Sequence, residues 1–104
     1  MIEHKEHMNL LLDYYGTLLT EKQQEIVRCY FADDLSLAEI AENLNISRSA
    51  VHDVIKRSEV SLQHFEDELK MVATAKKMEA IYRLYQDSES SEVQALLKKM
   101  KEIE

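Results

Sequence analysis

Between Ser36 and Arg57 the chain has little choice but to form two short helices joined by a tight turn. Ser36-Leu37-Ala38-Glu39 is a capping box. The serine oxygen accepts from a free N–H of the first turn, and the glutamate reaches back to the serine's own N–H. Leu37, Ile40, Ala41 and Leu44 follow at the spacing of one helix face. Asn45 comes next, one of the few residues that enter the left-handed region cheaply. Ser47 then caps a second helix. Two helices crossing steeply need a small residue at the crossing and apolar residues pinning both to a core. Ala41 is the small residue; Ile40, Leu44, Ile46, Val51 and Val54 are the pins. The segment reads as a helix-turn-helix, a module that usually docks on nucleic acid.

The rest of the chain is helical in the same way. It has 104 residues, one Gly and no Pro, which argues against a turn-dense β fold. A first helix carries Met8, Leu11, Leu12 and Tyr15, and Gly16 is expected to end it in a left-handed C′ position. Thr20 to Gln23 is another capping box, opening a helix striped by Ile26, Val27, Tyr30 and Phe31. Ala32-Asp33-Asp34 is a connector. After Ser47 the apolar stripe Val51, Ile55, Ser58, Leu62, Phe65, Leu69 and Val72 keeps heptad spacing well past the motif. Its phase then shifts to Ala75, Met78, Tyr82 and Tyr85, so the helix either bends near Lys70–Thr74 or gives way to a new one. Ser91 to Gln94 reads as a third capping box, before Val93, Leu96, Leu97, Met100 and Ile103. The expected fold is all-α: a helix-turn-helix without a wing, with appended C-terminal helices. We expect a single domain over 1–104, with the helix-turn-helix core at about 20–70 and a helical extension at about 71–104.

Charge is distributed unevenly. The net charge is −7, whereas a dedicated duplex-DNA binder is usually basic. Residues 1–46 carry 3 basic and 9 acidic side chains, while residues 47–58 carry Arg48, Lys56 and Arg57 against Asp53 alone. The proposed recognition helix is the locally basic segment. Its outward face would show Ser47, Arg48, Ser49, His52, Lys56 and Arg57, the candidate nucleic-acid-binding residues. Arg48 and the two hydroxyls would take phosphate beside the free N–H groups of the helix start. Lys56 and Arg57 would reach the flanking backbone, and His52 a base edge. Asp53 would repel phosphate. For every one of these the plain alternative is a solvent-facing residue with no role.

Other chemistry finds little support. Cys29 is alone and reads as a small buried hydrophobe, so no internal disulfide forms. His4 and His7 are three apart, but no further ligand is spaced to complete a metal site, and a frayed N-terminus is the plainer reading. Asp33-Asp34 and Glu66-Asp67-Glu68 read as solvated carboxylates. No Gly-rich phosphate loop or nucleophile motif is present, so no enzyme, cofactor, metal or catalytic residue is expected. No run reaches the length of a membrane span, and Met1 to Glu6 lacks a signal peptide's apolar centre, which makes a cytoplasmic protein the expectation. The Val51–Val72 stripe and the last helix either pack the chain's own core or form the seam of a homodimer, as appended helices often do in such proteins.

Thr20 to about Leu69 resembles region 4 of bacterial sigma factors, the promoter-recognising part. Leu35-Ser36-Leu37-Ala38-Glu39-Ile40-Ala41-Glu42 followed by Leu44-Asn45-Ile46-Ser47-Arg48 carries the likeness. Where that family tends to be charged and basic on the recognition helix, this chain has Ser49, Ala50 and His52. The whole chain resembles the YlxM family, small acidic helical proteins of Gram-positive bacteria encoded beside the signal recognition particle GTPase. The most specific stretch is Asp13-Tyr14-Tyr15-Gly16-Thr17-Leu18-Leu19-Thr20. That resemblance implies a role in targeting proteins to the membrane, with the particle's RNA or GTPase as partner. The reading that competes with it is a dimeric DNA-binding transcription regulator.

Overall fold

The computed structural model describes residues 2–104. Among them are six α-helices and one short 3-10 turn, and no strand. The helices are α1 (Ile2–Tyr15), α2 (Glu21–Phe31), α3 (Leu37–Leu44), α4 (Arg48–Leu69), α5 (Met71–Tyr85) and α6 (Ser91–Ile103), with the 3-10 turn at Gly16–Leu18. The chain divides into two compact units, one ending at Val72 and one spanning Ala73–Glu104. The first helix belongs to the same unit as the helix-turn-helix.

In the first unit α4 is the central element, packed against α1, α2 and α3. Its heptad stripe explains why. Val51, Ile55, Ser58 and Leu62 are all buried, and they meet Met8, Leu11, Leu12 and Tyr15 of α1 and Ile26, Val27 and Phe31 of α2 in one core. The stripe from Val51 to Val72 is therefore occupied inside the unit. Its buried members cannot also be a seam between two copies, which corrects the expectation of a dimer built there. Only Leu69 of the stripe is left largely exposed.

Ser58 is fully buried, and its Oγ has no hydrogen-bond partner among the described residues. A buried, unpaired hydroxyl is a cost that alanine of nearly the same size would remove. Ser58→Ala is expected to raise stability by about 1 kcal/mol, read as a shift of the urea midpoint without a change in slope.

The helix ends show how local chemistry places the elements. Thr20 and Ser36 each make a full reciprocal capping box, with Gln23 and Glu39 respectively. The hydrogen bonds from Ser36 hold the Glu39 carboxyl below its usual range. Gly16, in contrast, is not left-handed; it begins the 3-10 turn, and the left-handed residues are Asp34, Asn45 and Lys70. A Cβ on Gly16 would lie 2.5 Å from the Arg28 guanidinium, a flexible neighbour that can move aside. The C-terminus of α2 is closed from outside, by Asn9 of α1 donating to the Phe31 carbonyl at 2.9 Å. His4 and His7 are not in a frayed end either. Both lie on α1, His7 Nε2 being 3.0 Å from Gln63 Oε1 and His4 Nε2 3.6 Å from Glu59 Oε1. Cys29 is half-buried against the core rather than enclosed, and burial pushes its thiol up.

The long helix does not bend at Lys70–Thr74; it stops. Lys70 takes φ 54° and its N–H returns to the Glu66 carbonyl at 2.8 Å, after which α5 begins at once. The start of α5 is capped by side chains that are distant in sequence. Tyr15 Oη accepts from the Met71 N–H at 3.0 Å, and Glu66 Oε1 accepts from the Val72 N–H at 3.0 Å. Tyr15 in turn donates to Glu66 Oε1 at 2.5 Å. Glu66 is thus a structural carboxylate and not a solvated one. Burial, and then the Glu66 carboxylate, push the Tyr15 phenol above its ordinary range. A phenol raised in the native state stabilises it at neutral pH, and this contribution is lost as pH rises through the raised value. Tyr15→Phe, which removes the relay but keeps the ring, is expected to lower the melting temperature by about 5 °C at neutral pH. The gap between variant and parent should close as the parent's tyrosine ionises, followed by ultraviolet titration.

In the second unit α6 is capped by Ser90, whose Oγ accepts from the Val93 N–H. The cap lies one residue before the Ser91 expected from the sequence. Gln94 does not complete a box; it donates to the carbonyls of Gln86 and Ser88 in the turn. Tyr82 and Leu97 are the buried large side chains of the unit, and the Lys101 ammonium lies 5.2 Å from the Tyr82 ring centre.

Candidate nucleic-acid interface

The turn between α3 and α4 is built entirely by hydrogen bonds within a few residues. Asn45 takes φ 54°, ψ 47°. Its N–H returns to the Glu42 carbonyl at 3.3 Å, and the Ile46 N–H returns to the Ala41 carbonyl at 3.1 Å. This pair of bonds is the Schellman arrangement, which satisfies the last carbonyls of α3 and turns the chain sharply. Ile46 and Leu44 pack on the core beside Ile40 and Ala41, which are buried. Ser47 then caps α4, its Oγ accepting from the Ala50 N–H at 3.0 Å and lying 3.2 Å from Ser49 Oγ. The motif is complete, with each part in the place its residue type demands.

With Val51 and Ile55 buried, the opposite side of α4 faces outward. Ser47, Arg48, Ser49, His52, Lys56 and Arg57 are all exposed there. All six lie at the N-cap or in the first three turns of α4, spread over the half of the helix surface that solvent reaches. Their surroundings differ. The first turn of α4 contains no acidic residue, and its N–H groups at Arg48 and Ser49 have no acceptor within the helix. Among the described residues Arg48 makes no ion pair, so its charge adds to the positive end of the helix dipole.

The other two cations are already engaged. Arg57 Nε lies 3.2 Å from Asp53 Oδ2, one turn earlier on the same helix. Lys56 Nζ lies 3.8 Å from Glu59 Oε2, and the other oxygen of that carboxylate is beside His4 of α1. Exposed pairs of this kind contribute little to stability, at most about 1 kcal/mol. They do cancel the local field that a phosphate would feel. The positive potential is concentrated at the Arg48 end and fades toward Arg57. Spacing alone shows the Asp53–Arg57 pair, since acid before base at i, i+4 is the favoured order. The Lys56–Glu59 pair is legible in the same way at i, i+3, whereas the approach of His4 to Glu59 depends on α1 and is not visible along the chain.

Neither a metal-holding group of His, Cys, Asp and Glu side chains nor a helix long and apolar enough to cross a membrane occurs among the described residues.

Residues 2–103 match the model of the UPF0122 family, described as "Putative helix-turn-helix protein, YlxM / p13 like". The chain belongs to this family. Its relatives include a UPF0122 protein of Desulforamulus reducens, 44% identical over 92% of this chain and 86% of the relative. A relative in Halalkalibacterium halodurans is 38% identical over the full length of both chains. One in Lactococcus lactis subsp. cremoris is 42% identical over 99% of this chain and 92% of the relative. The match covers both compact units, so the α5–α6 extension is as much a part of the UPF0122 architecture as the helix-turn-helix.

Proposed function

We propose that this UPF0122 protein is a non-enzymatic, nucleic-acid-binding accessory factor that docks the N-terminal end of α4 on its partner. In this reading it acts in the cytoplasm, in the signal recognition particle pathway, binding that particle's RNA or its GTPase. The observation that carries the reading is the outward face of α4. Arg48, Ser47, Ser49 and His52 are presented together on a helix whose other side is fixed in the core. The pathway itself rests on the likeness to the YlxM family.

The charge favours a structured RNA or a protein over unaided duplex DNA. The net charge is −7, and two of the three cations on the face are balanced by neighbouring acids. A long duplex contact would need many uncompensated cations to release counterions. A short contact on a folded RNA needs few.

The test is an electrophoretic mobility shift with particle RNA and random duplex DNA side by side, joined to a pull-down with the GTPase at low salt. Binding to the RNA or the GTPase supports the proposal, and no binding to either rejects it. The second reading, a dimeric DNA-binding regulator, is favoured by the sigma-like wording of the motif. It requires an enriched sequence from genomic selection.

A further inference from the structure

The α5–α6 unit carries large apolar side chains on its surface. Leu84 is 77% exposed, Tyr85 51%, Leu96 57% and Ile103 86%. A unit as short as Ala73–Glu104 lies below the size that usually sustains its own core without a partner. Exposed apolar surface of this kind on a soluble helix marks a contact surface more often than chance decoration.

The charges beside that surface are arranged for a second copy of the same chain. On α6, Glu92, Leu96, Lys99 and Ile103 recur at four, three and four residues, so they form one stripe along the helix. Neither Glu92 nor Lys99 makes an ion pair among the described residues. The midpoint between them falls beside Leu96. Two α6 helices laid antiparallel about a two-fold axis at that midpoint bring Glu92 of each copy opposite Lys99 of the partner. The same register sets the two Leu96 side chains together at the axis. It also carries Ile103 of the partner level with the α5–α6 turn, next to exposed Tyr85. A two-fold interface must be complementary to itself, and this stripe is: one acid and one base on either side of a leucine, four and three residues from it. A heterologous partner would place no such demand on the spacing.

We propose that α6 is the homodimer surface of this protein, paired antiparallel about Leu96 with reciprocal Glu92–Lys99 contacts. The resulting dimer joins two α5–α6 hairpins through residues of α6 alone. The proposal does not depend on what that face binds.

The test is the mass of the full-length chain by light scattering and sedimentation, with circular dichroism to confirm that each variant keeps its helices. The wild type should be a dimer. Leu96→Glu places two like charges at the axis and should give a folded monomer. Glu92→Lys and Lys99→Glu should each weaken the dimer roughly tenfold, and the double variant carrying both should recover to within about threefold of the wild type. That recovery cannot come from misfolding. A monomeric wild type would overturn the proposal, as would a dimer indifferent to Leu96→Glu or a double variant weaker than either single one. A monomer that captures another protein on α6 would also overturn it, by assigning the stripe to that protein. Nucleic-acid shift assays on the same variants separate this result from the α4 reading.

Discussion

Leu62→Ala should cost about 3 kcal/mol of folding stability, which is a large part of what a unit of this size possesses. Leu62 is fully buried, in the stripe through which α4 meets α1 and α2. Shortening it leaves a cavity that the surrounding helices cannot collapse to fill, and the cost combines lost burial with lost contacts. Chemical denaturation measures it. The concentration dependence is the informative part. A residue in the unit's own core loses the same stability at every protein concentration, whereas a residue in a seam between copies loses more on dilution. We expect no dependence for Leu62→Ala beyond that of the wild type. Leu96→Glu should behave in the opposite way, leaving the folding of the first unit intact while changing the assembly.

Arg48→Glu should reduce nucleic-acid binding by roughly tenfold or more, and Arg48→Ala should lower the salt slope by about 1. The argument is electrostatic and local. Arg48 is exposed in the first turn of α4, with no acid in that turn and the positive helix end beside it. Arg57→Ala should do less, because Asp53 already offsets that charge at 3.2 Å. Asp53→Asn should therefore tighten binding by freeing Arg57. Shift assays at several salt concentrations measure all three. If Arg57 proved the stronger of the two, contact would have to run along the whole helix and not at its start.

The parts of this architecture that are legible along the chain are those decided within a few residues. The caps at Thr20, Ser36 and Ser47 follow from side chains that bond to backbone three residues away, and the left-handed Asn45 from a residue type that enters that region cheaply. The heptad stripe is legible as an apolar face, but spacing is silent on what the face meets, and so a core and a dimer seam look alike. Ser90 and Ser91 pass the same local test as caps. Gln94 decides between them by turning to the Gln86 and Ser88 carbonyls, which only the folded turn brings within reach. Gly16 invites a left-handed assignment because glycine so often ends a helix, yet here the chain tightens into a 3-10 turn. Glu66 sits in a run of acids and gives no sign of its partner, which comes from 51 residues away. For the candidate site, the six outward residues and the i,i+3 pair of Lys56 with Glu59 are readable from the helix period, whereas the contact of His4 with that same carboxylate requires α1 to be in place.

Helix starts are ordinarily where amide hydrogens exchange fastest, because the first N–H groups have no acceptor in the helix. At the start of α5 the situation is reversed. The Met71 and Val72 amides are held by Tyr15 of α1 and Glu66 of α4. The Met71 amide can exchange only when a contact between residues 56 apart in sequence comes apart, and the Val72 amide only when Glu66, the carboxylate that Tyr15 also holds, lets go. Their protection therefore reports opening of the first unit, not fraying of α5. In a chain emerging from the ribosome, the same contact cannot close until Met71 has followed Tyr15 out, so the Tyr15 hydroxyl waits for the fifth helix to begin.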